Sequence, residues 1–211
     1  MLVRLHDSAQ IRAILLDIEG TTTPIGFVYD VLFPYAARNL DRYFRQHFHD
    51  LETAPYFAQL KEQRMRSADS YTNVPDWHND SVDAEIGSLV SYAQWLMQRD
   101  SKLTALKVLQ GNIWQEGYAH GELCGQVYPD VPSALRRWRE HNKSVYIYSS
   151  GSELAQKLLF QTTEYGDLTR LLRGFLRYTC WPKGRCPQLS GDCLADLLRP
   201  TARALYLRFR E

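Results

Sequence analysis

The stretch Ala13-Ile14-Leu15-Leu16-Asp17-Ile18 constrains the fold more than any other part of the chain. A short apolar run with no polar alternation predicts a strand buried on both faces, as in a parallel sheet. The acid at its end, followed by Gly20 and three threonines, marks where the strand opens into a polar turn. The same pattern returns only at Ser144-Val145-Tyr146-Ile147-Tyr148-Ser149, flanked by an amphipathic segment at 133–141 and by Gly151-Ser152-Glu153, which opens a helix toward Phe160. Between the two strands the spacing is helical: Val28, Val31, Leu32, Tyr35, Leu40, Tyr43, Phe44 and Phe48, then Val82, Ile86, Leu89, Val90, Ala93 and Leu96, then 103–118. Asp80 or Ser81 is the candidate N-cap of the second of these, after a polar loop over 67–80. The order predicts an α/β core carrying a helical insertion directly after its first strand.

Bulk composition narrows the function classes. A chain of 211 residues holds one domain, or a core with a smaller insertion. No apolar run approaches the roughly 20 residues that span a membrane, and no secretory leader pattern is present, so a cytoplasmic protein is expected. Cys124, Cys180, Cys186 and Cys193 lack the CxxC spacing of a zinc site. His47, His49, His78, His120 and His141 have no ligand spacing and read as surface residues. From Arg170 onward nine Lys/Arg face three Asp/Glu, a basic tail in a chain whose net charge is +1. Nucleic acid is the partner such a tail first brings to mind.

Three groups of residues carry candidate chemistry. Asp17 and Glu19 are two carboxylates at the C-terminal end of a buried strand, where α/β sheets bind their ligands. Asp17 can attack phosphorus; Glu19 can act as acid or base, or help hold a metal. Phosphate monoesters need accelerations of up to about 10²¹, and an aspartyl-phosphate with Mg²⁺ splits that barrier. The plainer alternative is that both acids cap the following turn. Ser149 and Ser150, before Gly151, offer hydroxyls and backbone donors to a phosphate, or a simple helix cap. Lys183, after Pro182, is either a solvated lysine or a cation that screens phosphate.

The string 14–25, Ile14-Leu15-Leu16-Asp17-Ile18-Glu19-Gly20-Thr21-Thr22-Thr23-Pro24-Ile25, resembles the first motif of the haloacid-dehalogenase superfamily. Its D-I-E-G-T-T form is similar to the enolase-phosphatase (acireductone synthase) family of methionine salvage. The serine turn and Lys183 resemble the superfamily's second and third motifs, Gln110–Tyr118 the end of the family's cap, and 158–168 the stretch after its second motif. The resemblance implies a Rossmannoid parallel sheet over 1–27 and 126–211 and a helical cap over 28–125 that closes over substrate and excludes water. It also implies a monomer that binds a small phosphate ester and one Mg²⁺; a nucleic acid or membrane partner is not expected. Asp17 would be nucleophile and metal ligand, Glu19 the second metal-site residue, and Ser149, Ser150 and Lys183 the phosphate contacts. The alternatives are a phosphatase for another small ester and a degraded relative without activity.

The resemblance runs from about Ile11 to Gly174. After that point the family's fourth motif, an apolar run ending in Ser-Asp whose Asp is the third metal ligand, is not found. Asp192 and Asp196 lie in other surroundings. Reading the last two bases of each codon with the first of the next lets 176–183 encode F-D-T-L-V-G-P-K, 188–193 S-Y-R-A-I-A and 203–208 V-L-F-I-S-D. The tail thus reads as an out-of-frame translation, from a frameshift or a sequencing error. It is expected to cost the core two strands and one metal ligand, leaving a poorly stable protein with little or no phosphatase activity.

Overall fold

In the computed structural model residues 11–68, 72–177 and 203–207 are described, the last segment as backbone only. The apolar run forms strand β1 (Ile11–Leu16), and the second apolar run forms β2 (Ser144–Ser149). They pair in parallel, Ala13 with Ser144 and Leu16 with Ile147. Both faces of the pair are covered, which is why neither strand alternates in polarity: Ala13, Leu15, Tyr146 and Tyr148 are buried together with Leu176, while Ile14, Leu16, Val145 and Ile147 are also buried. Strands β3 (Gly174–Arg177) and β4 (Arg203–Leu207) complete a four-stranded parallel sheet ordered β3-β2-β1-β4. No strand was expected after Gly174, and these two correct that expectation. Gly174 follows the buried Leu172 and supplies a flat edge beside the Tyr146 ring, while Ala204-Leu205-Tyr206-Leu207 is an apolar run of the kind that pairs beside β1.

The chain divides into two compact units, residues 1–28 with 123–211, and residues 29–122. The first is the α/β unit. Helix α5 (Val131–Glu140) carries Pro132 in its first turn, which its fixed backbone suits, and buries Val131, Pro132 and Leu135. Helix α6 (Glu153–Gln161) is capped by Ser152, whose hydroxyl accepts from the Ala155 N–H at 3.2 Å. It buries Gln156, Leu159 and Phe160 at helical spacing, with Phe160 against Phe175 of β3. Gly125 lies under this helix: a methyl group there would meet the Leu159 carbonyl oxygen at 2.0 Å. Backbone cannot rotate aside as a side chain can. Gly125→Ala is therefore expected to destabilise the α/β unit by about 3 kcal/mol. A urea melt with an unshifted midpoint would show instead that α6 slides to make room.

Among its described residues the second unit holds four helices, α1 (Phe33–His47), α2 (Ala54–Ala68), α3 (Val82–Gln98) and α4 (Thr104–Ala119). A single helix was expected from Val28; instead Phe27–Leu32 forms a wider π-helical turn before α1. Pro34 has no N–H to donate and its ring opposes the carbonyl one turn back, so regular α-helical bonding cannot run through it. Helix α2 had no strong apolar stripe to announce it. It buries Phe57 and Leu60 and is tied down by polar contacts: Ser67 Oγ lies 2.9 Å from Tyr92 Oη, and the Arg64 guanidinium donates to the Pro75 carbonyl at 2.9 Å. Ser81 caps α3, its hydroxyl accepting from the Ala84 N–H at 3.1 Å.

His47 departs from the surface role expected of it. It is half-buried, with Nδ1 2.6 Å from Asp50 Oδ2 and Nε2 2.8 Å from Glu116 Oε1. Burial pulls its pKa down, but the hydrogen bonds and charges of Asp50 and Glu116 together outweigh burial and hold it above the ordinary value. A group whose folded pKa is raised contributes stability that is full below its unfolded pKa and is lost as pH rises through the folded value. The helical unit is expected to melt at progressively lower temperature as pH climbs from about 6.5 upward. The His47→Gln variant should lose that slope, and parallel pH profiles for the two proteins would count against the assignment.

Candidate active site

The C-terminal ends of β1 and β2 lie side by side in the middle of the sheet. Asp17 is the first residue past β1 and only 4% exposed; its Oδ1 accepts the Ile18 N–H at 2.8 Å. The turn beyond it is heavily bonded. The N–H groups of Thr21, Thr22 and Thr23 all reach the Ile18 carbonyl at 3.0–3.2 Å, and the Gly20 N–H donates to the Thr23 carbonyl at 2.9 Å. Gly20 adopts φ 71°, a left-handed conformation that a residue without Cβ takes at no steric cost. Thr22 Oγ1 donates back to the Asp17 carbonyl at 3.0 Å, and the Thr22 carbonyl accepts from the Tyr128 N–H at 2.9 Å. Glu19 is half-buried within this turn, bridged through its backbone to Thr23. The Thr23 hydroxyl is fully buried and has no hydrogen-bond partner among the described residues.

On the neighbouring strand, β2 ends at Ser149, which is 6% exposed. Its Oγ accepts from the Gly151 N–H at 3.2 Å, so its own proton stays available to a further acceptor. Ser150 is half-buried in the turn that leads to the N-terminus of α6. Extending the β1–β2 register by one residue sets Asp17 level with Tyr148, the residue before Ser149. The sheet therefore brings Asp17, Glu19, Ser149 and Ser150 to one edge, where ligands of open parallel sheets bind. Lys183 lies outside the described residues.

Those residues offer oxygen donors only. Mg²⁺ takes oxygen ligands, commonly one or two carboxylates together with substrate phosphate and waters, so Asp17 and Glu19 fit it chemically. Among the described residues no cluster of three or more acidic, His or Cys side chains could hold a metal ion.

Two features escape inspection of the sequence. Gln156, on the inner face of α6, donates from Nε2 to the Gly151 carbonyl at 3.0 Å and to the Leu176 carbonyl at 3.2 Å. A glutamine in a helix gives no signal of such a role; only the folded neighbours reveal it. The helical unit holds a cavity of about 260 Å³ lined by Tyr29, Phe33, Met97, Leu106, Lys107 and Gln110, among others. There the Lys107 ammonium lies 5.1 Å from the centre of the Phe33 ring, and Gln110 is buried.

No family model matches the chain. It is 44% identical over 198 residues to the enolase-phosphatase E1 of Pseudomonas aeruginosa, which covers 93% of this chain and 80% of that protein. Over 173 residues it is 46% identical to a probable bifunctional methylthioribulose-1-phosphate dehydratase/enolase-phosphatase E1 of Populus trichocarpa, covering 80% of this chain and 33% of that protein. Among solved structures, the Unknown transcript 4 protein of Saccharomyces cerevisiae superposes with a TM-score of 0.58 at 31% identity, covering 78% of this chain and 66% of that one. The fold is α/β, of the haloacid-dehalogenase type.

Proposed function

The chain belongs to the enolase-phosphatase family, and from that premise we propose that it acts on 2,3-diketo-5-methylthiopentyl-1-phosphate in methionine salvage, enolising it and then releasing phosphate to leave the acireductone. The observation that carries this reading is the meeting of the Asp17 turn with the Ser149–Ser150 turn at one edge of the sheet. Asp17 attacks phosphorus, and the P–O bond to the ester oxygen breaks as the aspartyl-phosphate forms, that oxygen leaving with the carbon skeleton and taking up a proton. The Ser149 hydroxyl, already accepting from Gly151, donates to a phosphate oxygen, while Ser150 and the start of α6 add further donors. Lys183 supplies a cation to the same phosphate. Asp17 and Glu19 would hold Mg²⁺, which supplies neutralisation of phosphate charge. Water then attacks the phosphorus of the acyl-phosphate, freeing the Asp17 carboxylate, and Glu19 takes up the water's proton.

We assign domain roles on the same reading: core 1–27 and 126–211, cap 28–125. No described helix is long and apolar enough to cross a membrane. The chain is proposed to work as a cytoplasmic monomer on a small ester, with no nucleic-acid partner. The tail after residue 174 is proposed to be an out-of-frame reading. Resequencing the gene and transcript between codons 165 and 211 tests that directly. The function itself is tested by following inorganic phosphate and the acireductone from the diketone phosphate with and without Mg²⁺, beside a panel of other small phosphate esters. Equal rates across the panel would replace the specific reading with a general phosphatase.

A further inference from the structure

We infer that Gln156 is a positioning residue for phosphate, acting through the peptide that links Gly151 to Ser152; this rests on the reading of the serine turn as the phosphate site. Gln156 shares the inner face of α6 with Leu159 and Phe160, a position where an apolar side chain would pack without desolvating an amide. It is 1% exposed, and its Oε1 is buried with no hydrogen-bond partner among the described residues. An orphaned buried acceptor is a cost, so what holds an amide at this position lies at its other end.

That end has its nitrogen fully committed. One Nε2 proton goes to the Gly151 carbonyl at 3.0 Å and the other to the Leu176 carbonyl at 3.2 Å. Leu176 pairs with Tyr148 in the β2–β3 ladder. A single amide group therefore ties the turn after Ser149 and Ser150 to the strand next to it. The consequence follows from peptide planarity. In a trans peptide the carbonyl and the following N–H point in opposite directions. Holding the Gly151 carbonyl toward Gln156 turns the Ser152 N–H to the other side of the turn, away from the helix interior. The same anchor holds Gly151 where its own N–H reaches Ser149 Oγ at 3.2 Å. Gln156 touches neither substrate nor metal in this account; it sets which way the turn's donors face.

Two variants test it in the full chain, Gln156→Met, which keeps the volume and removes both donors, and Gln156→Glu, which sets a carboxylate against two carbonyls. Each is compared with wild type by calorimetric binding of inorganic phosphate with Mg²⁺ present, and by separate KM and kcat. The expected result is about tenfold weaker phosphate binding and a KM raised to match, with kcat changed less than about threefold, as two net hydrogen bonds would give. Gln156→Met should melt near wild type because the orphaned oxygen goes with the amide. If wild type binds phosphate and both variants bind it equally well, the inference fails while the phosphate site stands. If wild type binds none, the same comparison in the chain with its reading frame restored decides: should that chain bind none either, the reading of the serine turn fails and takes this inference with it.

Discussion

Replacing Asp17 by Asn is expected to abolish phosphate release, by about 10⁴-fold or more, while leaving the protein folded. The asymmetry comes from what the side chain does in each role. Its Oδ1 accepts the Ile18 N–H, and the amide oxygen of Asn can accept that bond as well, so the turn keeps its geometry. An amide oxygen is a far poorer nucleophile than a carboxylate and carries no charge to offer a cation. If Asp17 and Glu19 only shaped the turn, Asp17→Asn would turn over nearly as fast as its parent, and that result would end the covalent mechanism. The comparison is best made in whichever version of the tail is more active, with phosphate detected against a background lacking protein.

Restoring the reading frame after codon 175 is the second change with a large expected effect. The restored chain would end an apolar strand in Ser-Asp and so supply a third acidic oxygen donor, whereas the described residues provide no cluster of three. Even the outer partners of metal ligands are commonly worth 10–100-fold, so a direct ligand is expected to raise Mg²⁺-dependent turnover by about 100-fold or more. The restored protein should also melt at a higher temperature when Mg²⁺ is added, since a ligand that binds only the folded state stabilises it. Two purified proteins, differing only in the tail, decide the matter. Equal rates and equal responses to Mg²⁺ would mean that the present tail is the working one.

How much of this was readable beforehand depended on how local each signal is. β1, β2 and the helix starts near Ser81 and Ser152 announce themselves within a few residues, though not which of Asp80 and Ser81 is the cap, because burial on both faces leaves an unbroken apolar run and a helix start needs only its own first turn. Helix α2 did not, since Phe57 and Leu60 are few and its anchors, Ser67 to Tyr92 and Arg64 to Pro75, are contacts across the unit. The π-helical turn before Pro34 was legible in principle from the proline, yet the apolar spacing through Leu32 pointed to an ordinary helix. β3 and β4 carry little local signal, because an outer strand of four or five residues needs only a few groups able to pair with its one neighbour. At the site, Asp17 stands out because two acids two residues apart follow a buried strand, whereas the serines, which equally suit a plain helix cap, stand out only beside the family resemblance. Gln156 and His47 do not, for their meaning lies in partners brought to them by the fold.

The strand order also sets a timetable for synthesis. β1 emerges first but lies between β2, which begins at residue 144, and β4, which begins at residue 203. At ribosomal speeds β1 waits on the order of 10 s before both neighbours exist. The helical unit, by contrast, is one unbroken stretch from Tyr29 to Glu122 and can close as soon as it clears the exit tunnel. Its contacts are the nearer ones along the chain, and nearer contacts form faster. Proteolysis of stalled nascent chains should therefore find residues 29–122 protected while Ile11–Leu16 is still cut. Simultaneous protection of both would show that the two regions fold as one. A nascent chain with its most apolar strand bare for that interval is a natural client for chaperones, and the tail that supplies β4 determines how long the wait lasts.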